Sequence, residues 1–82
     1  MQSYPNPFNP TATIEYQVPV SGFVKLSVYD ILGREMTLLV NENKSVGNYR
    51  VTFDANDLPG GIYFYRMQAG SFSETKKLLL LR

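Results

Sequence analysis

The sequence contains neither cysteine nor histidine. Without cysteine, the chain can form no disulfide and no thiolate metal site. Without histidine, it lacks the usual general base of hydrolytic triads and the commonest imidazole metal ligand. We therefore predict that the protein is not an enzyme and that it uses no cofactor or metal.

Long runs of like charge and of apolar residues are also missing. The eight basic and seven acidic residues are spread along the 82-residue chain and leave a net charge of +1, which argues against a nucleic-acid partner. The leucine run at residues 78–81 is too short to span a membrane. The first residues lack the basic and apolar parts of a signal peptide. We expect no membrane insertion and regard the chain as one part of a larger protein.

The sequence does contain a regular alternation of apolar and polar residues, which is the pattern of half-buried β-strands. Six segments show it, and a short seventh strand is predicted near residues 2–4. The six lie at residues 13–18, 24–28, 36–40, 49–54, 62–67 and 72–81. In the third segment Met36, Leu38 and Val40 form one apolar set. The fifth is rich in aromatic residues and is predicted to be buried on both faces.

Residues typical of turns separate these segments, and residues 41–47 are predicted to form a polar loop. Asp30 and Gly33 suit a type I turn, in which the aspartate accepts bonds from residues further along the chain and the glycine adopts a positive φ. Short strands at this spacing predict one all-β domain, residues 1–82, that folds as an antiparallel β-sandwich of about seven strands.

Two further features lie around the strongest turn signal, residues 56–61. Tyr63 follows the turn at the start of a strand, where immunoglobulin-like sandwiches carry a tyrosine that bonds to upstream backbone. We favour this structural role over a ligand role. Asp54, Asn56 and Asp57 lie close together, but their spacing does not match an EF-hand calcium loop. Asx-type turn bonding is the expected role of these residues.

The most unusual stretch is residues 4–10, YPNPFNP, which contains three prolines. Each proline fixes φ and pushes the preceding residue towards β or polyproline geometry. Residues 1–10 are therefore predicted to be a stiff, extended segment leading into the first long strand, with Tyr4 and Phe8 pinning it to the sandwich. A strap is the favoured role, which does not exclude a linker junction or a recognition epitope.

The last segment is the most apolar part of the chain, and in it Lys76 and Lys77 precede residues 78–81. Four consecutive leucines place two side chains on each face of a strand, so some of them are predicted to be buried. An apolar strand edge at this position needs protection, or it serves a partner through strand addition. Pairing of two copies through such an edge is also open.

Four pieces of the sequence together resemble a known family. They are residues 4–11 (YPNPFNPT), 28–34 (VYDILGR), 61–66 (GIYFYR) and 76–78 (KKL). Each piece alone is weak, but all four in this order resemble the type A C-terminal sorting domain of cargo proteins of the type IX, or Por, secretion system. The resemblance covers nearly the whole chain.

The resemblance implies an immunoglobulin-like β-sandwich that acts as a secretion signal in Bacteroidetes and related bacteria. The parent cargo, N-terminal to the domain, reaches the periplasm through a separate signal, and the outer-membrane translocon then recognises the domain. A sortase-like protease usually cuts ahead of the domain, and the cargo is released or attached to the cell surface. Carried over by motif, the recognition residues are Pro5, Asn6, Pro7, Gly61, Tyr63, Lys76, Lys77 and Leu78.

Two other classes of function remain open on the sequence. An immunoglobulin-like structural or interaction module, of the kind found in flagellar hook-capping proteins, begins with a similar stretch. A carbohydrate-binding sandwich would need a row of exposed aromatic rings, for which Tyr29, Tyr49 and Tyr65 are the candidates. The alternation, however, places Tyr49 with the core set.

Overall fold

The computed structural model describes residues 1–82, which form seven β-strands and no helix. The strands are β1 (Gln2–Tyr4), β2 (Thr11–Val18), β3 (Gly22–Tyr29), β4 (Glu35–Lys44), β5 (Gly47–Asp54), β6 (Gly61–Ala69) and β7 (Phe72–Leu80). The short first strand is confirmed. No helix is present that could cross a membrane.

The strands form two antiparallel sheets that pack face to face. One has the order β1-β2-β5 and the other the order β4-β3-β6-β7. In an immunoglobulin-type sandwich, β1, β2 and β5 take the places of strands A, B and E, and β3, β6 and β7 those of C, F and G, with β4 as C′. The predicted fold class, an immunoglobulin-like β-sandwich, is confirmed.

A core of 17 buried hydrophobic residues fills the space between the sheets. Alternate residues of each strand supply it, as the period of two requires. Residues 62–67 follow the same rule, so the prediction that both of their faces are buried was wrong. Tyr63 and Tyr65 point into the core, whereas Ile62 and Arg66 are exposed. No further layer covers the outer face of the four-stranded sheet.

The predicted polar loop at residues 41–47 was also wrong. Strand β4 continues to Lys44, which pairs with Gly22 at the start of β3, and only residues 45–46 connect β4 to β5. Strand β4 lies at the edge of its sheet, and its last four residues do not need apolar side chains because their main-chain bonds to β3 hold them in place.

A β-bulge changes which residues of β4 face the core. Val40 lies opposite Leu26, but the next residue of β3 lies opposite Leu38, so Leu39 is the extra residue of the bulge. Leu39 packs against the core. Met36 and Leu38, which the alternation grouped with Val40, are 37% and 47% exposed.

Candidate recognition surface

The loop between β1 and β2, residues 5–10, crosses from the three-stranded sheet to the edge of the other sheet. Phe8 at its centre is 1% exposed and packs on Phe53, with 5.7 Å between the ring centroids. The backbone bends at residues 5–7 and 9–10, so the extended geometry predicted for this stretch was wrong. The chain has to turn twice to place Phe8 in the core and return to β2.

The loop is hydrogen-bonded along the outer edge of β7. Phe8 N donates to Leu79 O (2.9 Å), and Leu81 N donates to Phe8 O (2.8 Å). The Asn6 side chain extends this pairing, because its Nδ2 donates to Lys77 O (3.0 Å) and its Oδ1 accepts from Leu79 N (3.1 Å). Phe8 thus forms one parallel bridge with Leu80, and together with the Asn6 side chain it covers the last part of the β7 edge.

Strand β6, on the other side of β7, begins with the predicted tyrosine corner. The Tyr63 hydroxyl donates to Pro59 O at 2.5 Å, and the side chain is 4% exposed, which confirms the structural role. Gly61 has a φ of +142°, a conformation that side chains with a Cβ rarely adopt. It pairs with Leu80, and Tyr63 pairs with Leu78, so this turn sets the register of the last strand.

The structure brings three of the four sequence motifs together at one end of the four-stranded sheet. The predicted recognition residues with exposed side chains are Pro5, Asn6, Pro7, Lys76 and Lys77. Tyr63 and Leu78 are buried in the core at 4% and 0% exposure, and Gly61, at the start of β6, is half-buried. The exposed members thus lie on β7 and on the loop docked along its edge, and the buried members lie in the core beside them.

Positive charge borders this surface. Lys77 makes no salt bridge, while Lys76 Nζ lies 3.9 Å from Glu74 Oε2. Arg82 Nη2 donates to Ala55 O (2.5 Å) and Asn56 O (2.6 Å), which fixes the end of the described chain to the β5–β6 loop. Sequence reasoning missed Arg82, because a single arginine after an apolar strand has no periodic or motif signal.

Comparison with known proteins identifies the family of the chain. The family model for the secretion system C-terminal sorting domain matches residues 2–81. The chain belongs to the type IX secretion C-terminal sorting domain family. The family consists of secretion signals and not of catalysts, and its members direct export to the cell surface or the extracellular space. No curated protein and no solved structure matches this chain.

The remaining motif of the sorting domain forms the β3–β4 turn. Asp30 Oδ1 accepts from Leu32 N (2.9 Å) and Arg34 N (3.0 Å), and Gly33 N donates to Asp30 O (3.0 Å). Gly33 has a φ of +83°. The Arg34 backbone N–H, supported by the Arg34 side chain and the Leu32 N–H, lowers the pKa of Asp30. The predicted forward-bonding turn is confirmed.

The tip of this turn exposes two large apolar side chains. Ile31 and Leu32 are 69% and 74% exposed. With Met36, Pro59 and Ile62 they line an open cleft of about 340 Å³ between the β3–β4 turn and the β5–β6 loop. Gly61 also lines the cleft, so the motif of residues 28–34 lies beside the start of β6.

The three candidate tyrosines, Tyr29, Tyr49 and Tyr65, do not form a row of exposed aromatic rings. Tyr65 is 1% exposed, and Tyr49 stacks on Tyr16 with 5.5 Å between the ring centroids. The Arg66 guanidinium covers the Tyr29 ring at 5.2 Å. Tyr65 is therefore out of reach of a sugar, and Tyr29 and Tyr49 each have one ring face occupied by a neighbouring side chain, which counts against a flat sugar-binding platform.

The acidic cluster before β6 has a structural role. Asp54 Oδ1 accepts from Asn56 N (3.0 Å), and Asp54 Oδ2 accepts from the Asn56 side chain (3.2 Å). This is the predicted Asx-type turn. It orients the loop whose carbonyl groups bind Arg82, so the cluster contributes to the same end of the sandwich.

Proposed function

We propose that this sorting domain is the signal by which the outer-membrane type IX translocon recognises a cargo in the periplasm and carries it to the cell surface. The cargo precedes the domain in the parent protein. A sortase-like protease then cuts ahead of the domain, and the cargo is released or attached to the surface. The observation that carries the proposal is the docking of residues 6–8 on β7, which unites motifs from opposite ends of the chain into one exposed surface.

The recognition residues divide into two roles. Pro5, Asn6, Pro7, Lys76 and Lys77 are exposed, and we assign them to direct contact with the translocon. Gly61, Tyr63 and Leu78 act through the fold: they fix the start of β6 and the register of β7 beneath that surface. This division explains how a signal can combine polar surface residues with residues that no partner reaches.

A truncation does not test this proposal cleanly. Removing residues 76–82 would delete Leu78 and Leu80, which are 0% and 2% exposed in the core. Each large side chain lost from a core costs about 2–5 kcal/mol, and small domains have only about 5–15 kcal/mol of stability in total. The truncated domain would unfold, and its failure to be exported would say nothing about recognition.

Surface variants provide the test. The domain is fused to a fluorescent protein that is directed to the periplasm of a host with a working type IX system. The test variant is Lys76→Gln with Lys77→Gln. Its matched control is Lys25→Gln with Arg50→Gln, which removes the same charge from β3 and β5, away from the proposed surface. The proposal predicts export of the wild type and the control, and periplasmic retention of the test variant.

Two outcomes would count against the proposal. If the wild-type fusion stays in the periplasm although the domain is folded, the domain is not a sorting signal in this system. If the test variant is exported as well as the control, the two lysines are not recognition residues, and the surface must be sought around Pro5 and Pro7. Protease resistance of the periplasmic fusions verifies folding in every case.

A further inference from the structure

The outer edge of β7 is open along residues 73–77. In the β6–β7 hairpin, Ala69 pairs with Phe72 across a two-residue turn, so even-numbered residues of β7 bond to β6 and odd-numbered residues face outward. The contacts of Leu79 support this assignment, because its C=O accepts from Phe8 N and its N–H donates to Asn6 Oδ1, both in the loop outside β7. Ser73, Thr75 and Lys77 therefore present their main chain to the outside.

Apart from Lys77 O, these outward main-chain groups have no partner within the protein. Asn6 takes Lys77 O, and the cover formed by residues 6–8 ends there. The N–H and C=O of Ser73 and Thr75 and the N–H of Lys77 make no hydrogen bond to any other residue. On the adjoining part of this edge, the main chain of Phe8 already bonds to Leu79 and Leu81 in a parallel bridge, so the geometry of the edge suits an added strand.

The other edges of the sandwich are less suited. Strand β4 has two register shifts, and bulges of this kind turn an edge away from a partner. Strand β1 has three residues. Strand β5 pairs without a shift, but its outward residues include Arg50 and Asp54 and carry charges of both signs. Only β7 combines a regular nine-residue register with a single sign of uncompensated charge.

Successive residues of a strand point to opposite faces, so Lys76 and Lys77 border the open edge on both faces. Glu74 is the only acidic residue in β7, and its Oε2 already lies 3.9 Å from Lys76 Nζ. Lys77 has no acidic partner. A strand added here meets the uncompensated positive charge of Lys77 on one face and no uncompensated negative charge on the other, which favours acidic side chains in that strand.

We propose that residues 73–77 bind an extended, acidic segment of a partner protein by strand addition. Main-chain hydrogen bonds to Ser73, Thr75 and Lys77 would supply the affinity, and the two lysines would select acidic side chains. The proposal deepens the proposed function, because the partner segment would belong to the transport machinery. Of the two roles that the sequence left open for the apolar edge, protection holds for residues 79–81, which the loop covers, and strand addition is assigned to residues 73–77.

The decisive variant is Thr75→Pro. Proline removes an N–H that faces outward and is not used by β6, and an edge strand tolerates it at such a position. Thr75→Val is the first control, since it keeps the N–H and loses only the hydroxyl, which accepts from Arg66 Nε at 3.2 Å. Thr52→Pro is the second. Ala55 N donates to Pro10 O, so odd-numbered residues of β5 bond to β2 and even-numbered residues face outward. The Thr52 N–H therefore lies on the free edge of β5.

The binding probe is a synthetic peptide of about ten residues, long enough for a strand, in which Glu alternates with Val. A peptide with Lys in place of Glu is its counterpart. We expect the Glu peptide to shift the amide NMR signals of Ser73, Thr75 and Lys77, and the Lys peptide to leave them unchanged. Thr75→Pro should weaken binding about tenfold or more, as loss of one or two main-chain bonds implies, and both controls should bind like the wild type.

Other outcomes overturn the proposal. Equal binding of Thr75→Pro and wild type would show that the edge is not the site. Concentration-dependent dimers that Thr75→Pro abolishes would make a second copy the occupant. If Thr75→Pro unfolds, Lys76→Glu with Lys77→Glu replaces it and should reverse the preference to the Lys peptide; an unchanged preference counts against the proposal.

The export assay separates this proposal from the proposed function. Export of the wild type, Thr52→Pro and Thr75→Val fusions with retention of Thr75→Pro supports both. Export of all four leaves the sorting function standing and overturns strand addition as its mechanism. If none is exported, the sorting function fails, and the peptide measurements alone decide whether the edge is a binding site.

Discussion

The two halves of β7 share one strand and one register but differ in every other respect. Residues 78–80 are apolar, and Leu78 and Leu80 are among the most buried side chains of the domain, at 0% and 2% exposure. Their outer edge is covered by the loop that contains Asn6 and Phe8. Residues 73–77 are polar and mostly exposed, and their outer edge is bare.

The difference shows how one strand can both stabilise a domain and remain available to a partner. An apolar open edge invites aggregation, and this chain covers the apolar half with its own loop. The polar half, flanked by lysines, can stay open because charge discourages indiscriminate pairing. Variants in the covered half should therefore change stability, and variants in the open half should change recognition. The following predictions test that separation.

Phe8→Ala should have the largest effect. The ring is 1% exposed and packs on Phe53, and its removal leaves a cavity that costs about 3–5 kcal/mol in the free energy of unfolding. Chemical denaturation measures the loss. Phe23→Ala is the matched control, because Phe23 is 53% exposed and a surface substitution should cost within about 0.5 kcal/mol. Similar losses for both variants would mean that the loop is not part of the core.

Asn6→Ala should rank second. It removes both side-chain bonds to the β7 edge, to Lys77 O and Leu79 N, and each such bond contributes about 0.5–1.5 kcal/mol. A loss of about 1–2 kcal/mol is expected, less than the sum because water reaches the exposed groups. Asn9→Ala, an exposed asparagine of the same loop without a hydrogen bond, is the control. An Asn9→Ala loss as large as that of Asn6→Ala would contradict the assigned role.

The contacts of this loop are also where sequence reasoning ends. The Asp30 turn and the Tyr63 corner were predictable, because each depends on residues within four positions of one another. The docking of Asn6 on Lys77 joins residues 71 positions apart, and neither residue's local pattern indicates the other. The family resemblance grouped these residues without saying that they touch.

Edge strand β4 was predicted at residues 36–40, but its extension to Lys44 was missed for a different physical reason. Its register with β3 is maintained by main-chain bonds, so residues 41–44 can be polar without leaving the sheet. The bulge at Leu39 then interrupts the period of two on which a strand assignment depends. A polar, bulged edge looks like a loop in the sequence, while core strands such as β2 and β3 keep their alternation.

Tyr63→Phe should cost about 0.5–1.5 kcal/mol, because it removes the single bond from the hydroxyl to Pro59 O. Thermal and chemical unfolding both report it. Tyr16→Phe is the matched control: Tyr16 is 3% exposed, and its hydroxyl has no hydrogen-bond partner in the protein. If the two variants lose the same free energy of unfolding, the hydrogen bond from the Tyr63 hydroxyl to Pro59 O does not stabilise the domain. Because Tyr63 lies under the covered half of β7, its loss should lower stability before it lowers export.

The smallest effect on stability is expected for Lys77→Ala, and its neighbour provides the sharpest contrast. Lys77 is exposed and has no salt bridge, so the unfolding midpoint should not change. Leu78→Ala, one position further along, removes a side chain that is 0% exposed and should cost about 2–5 kcal/mol. Export should respond differently. Lys77→Ala should reduce export without any loss of stability, because it weakens recognition of a fully folded domain, whereas any export defect of Leu78→Ala should follow from its lower stability. If Lys77→Ala destabilises the domain measurably, or is exported at the wild-type rate, stability and recognition are not divided between the halves of β7 in the way that their burial indicates.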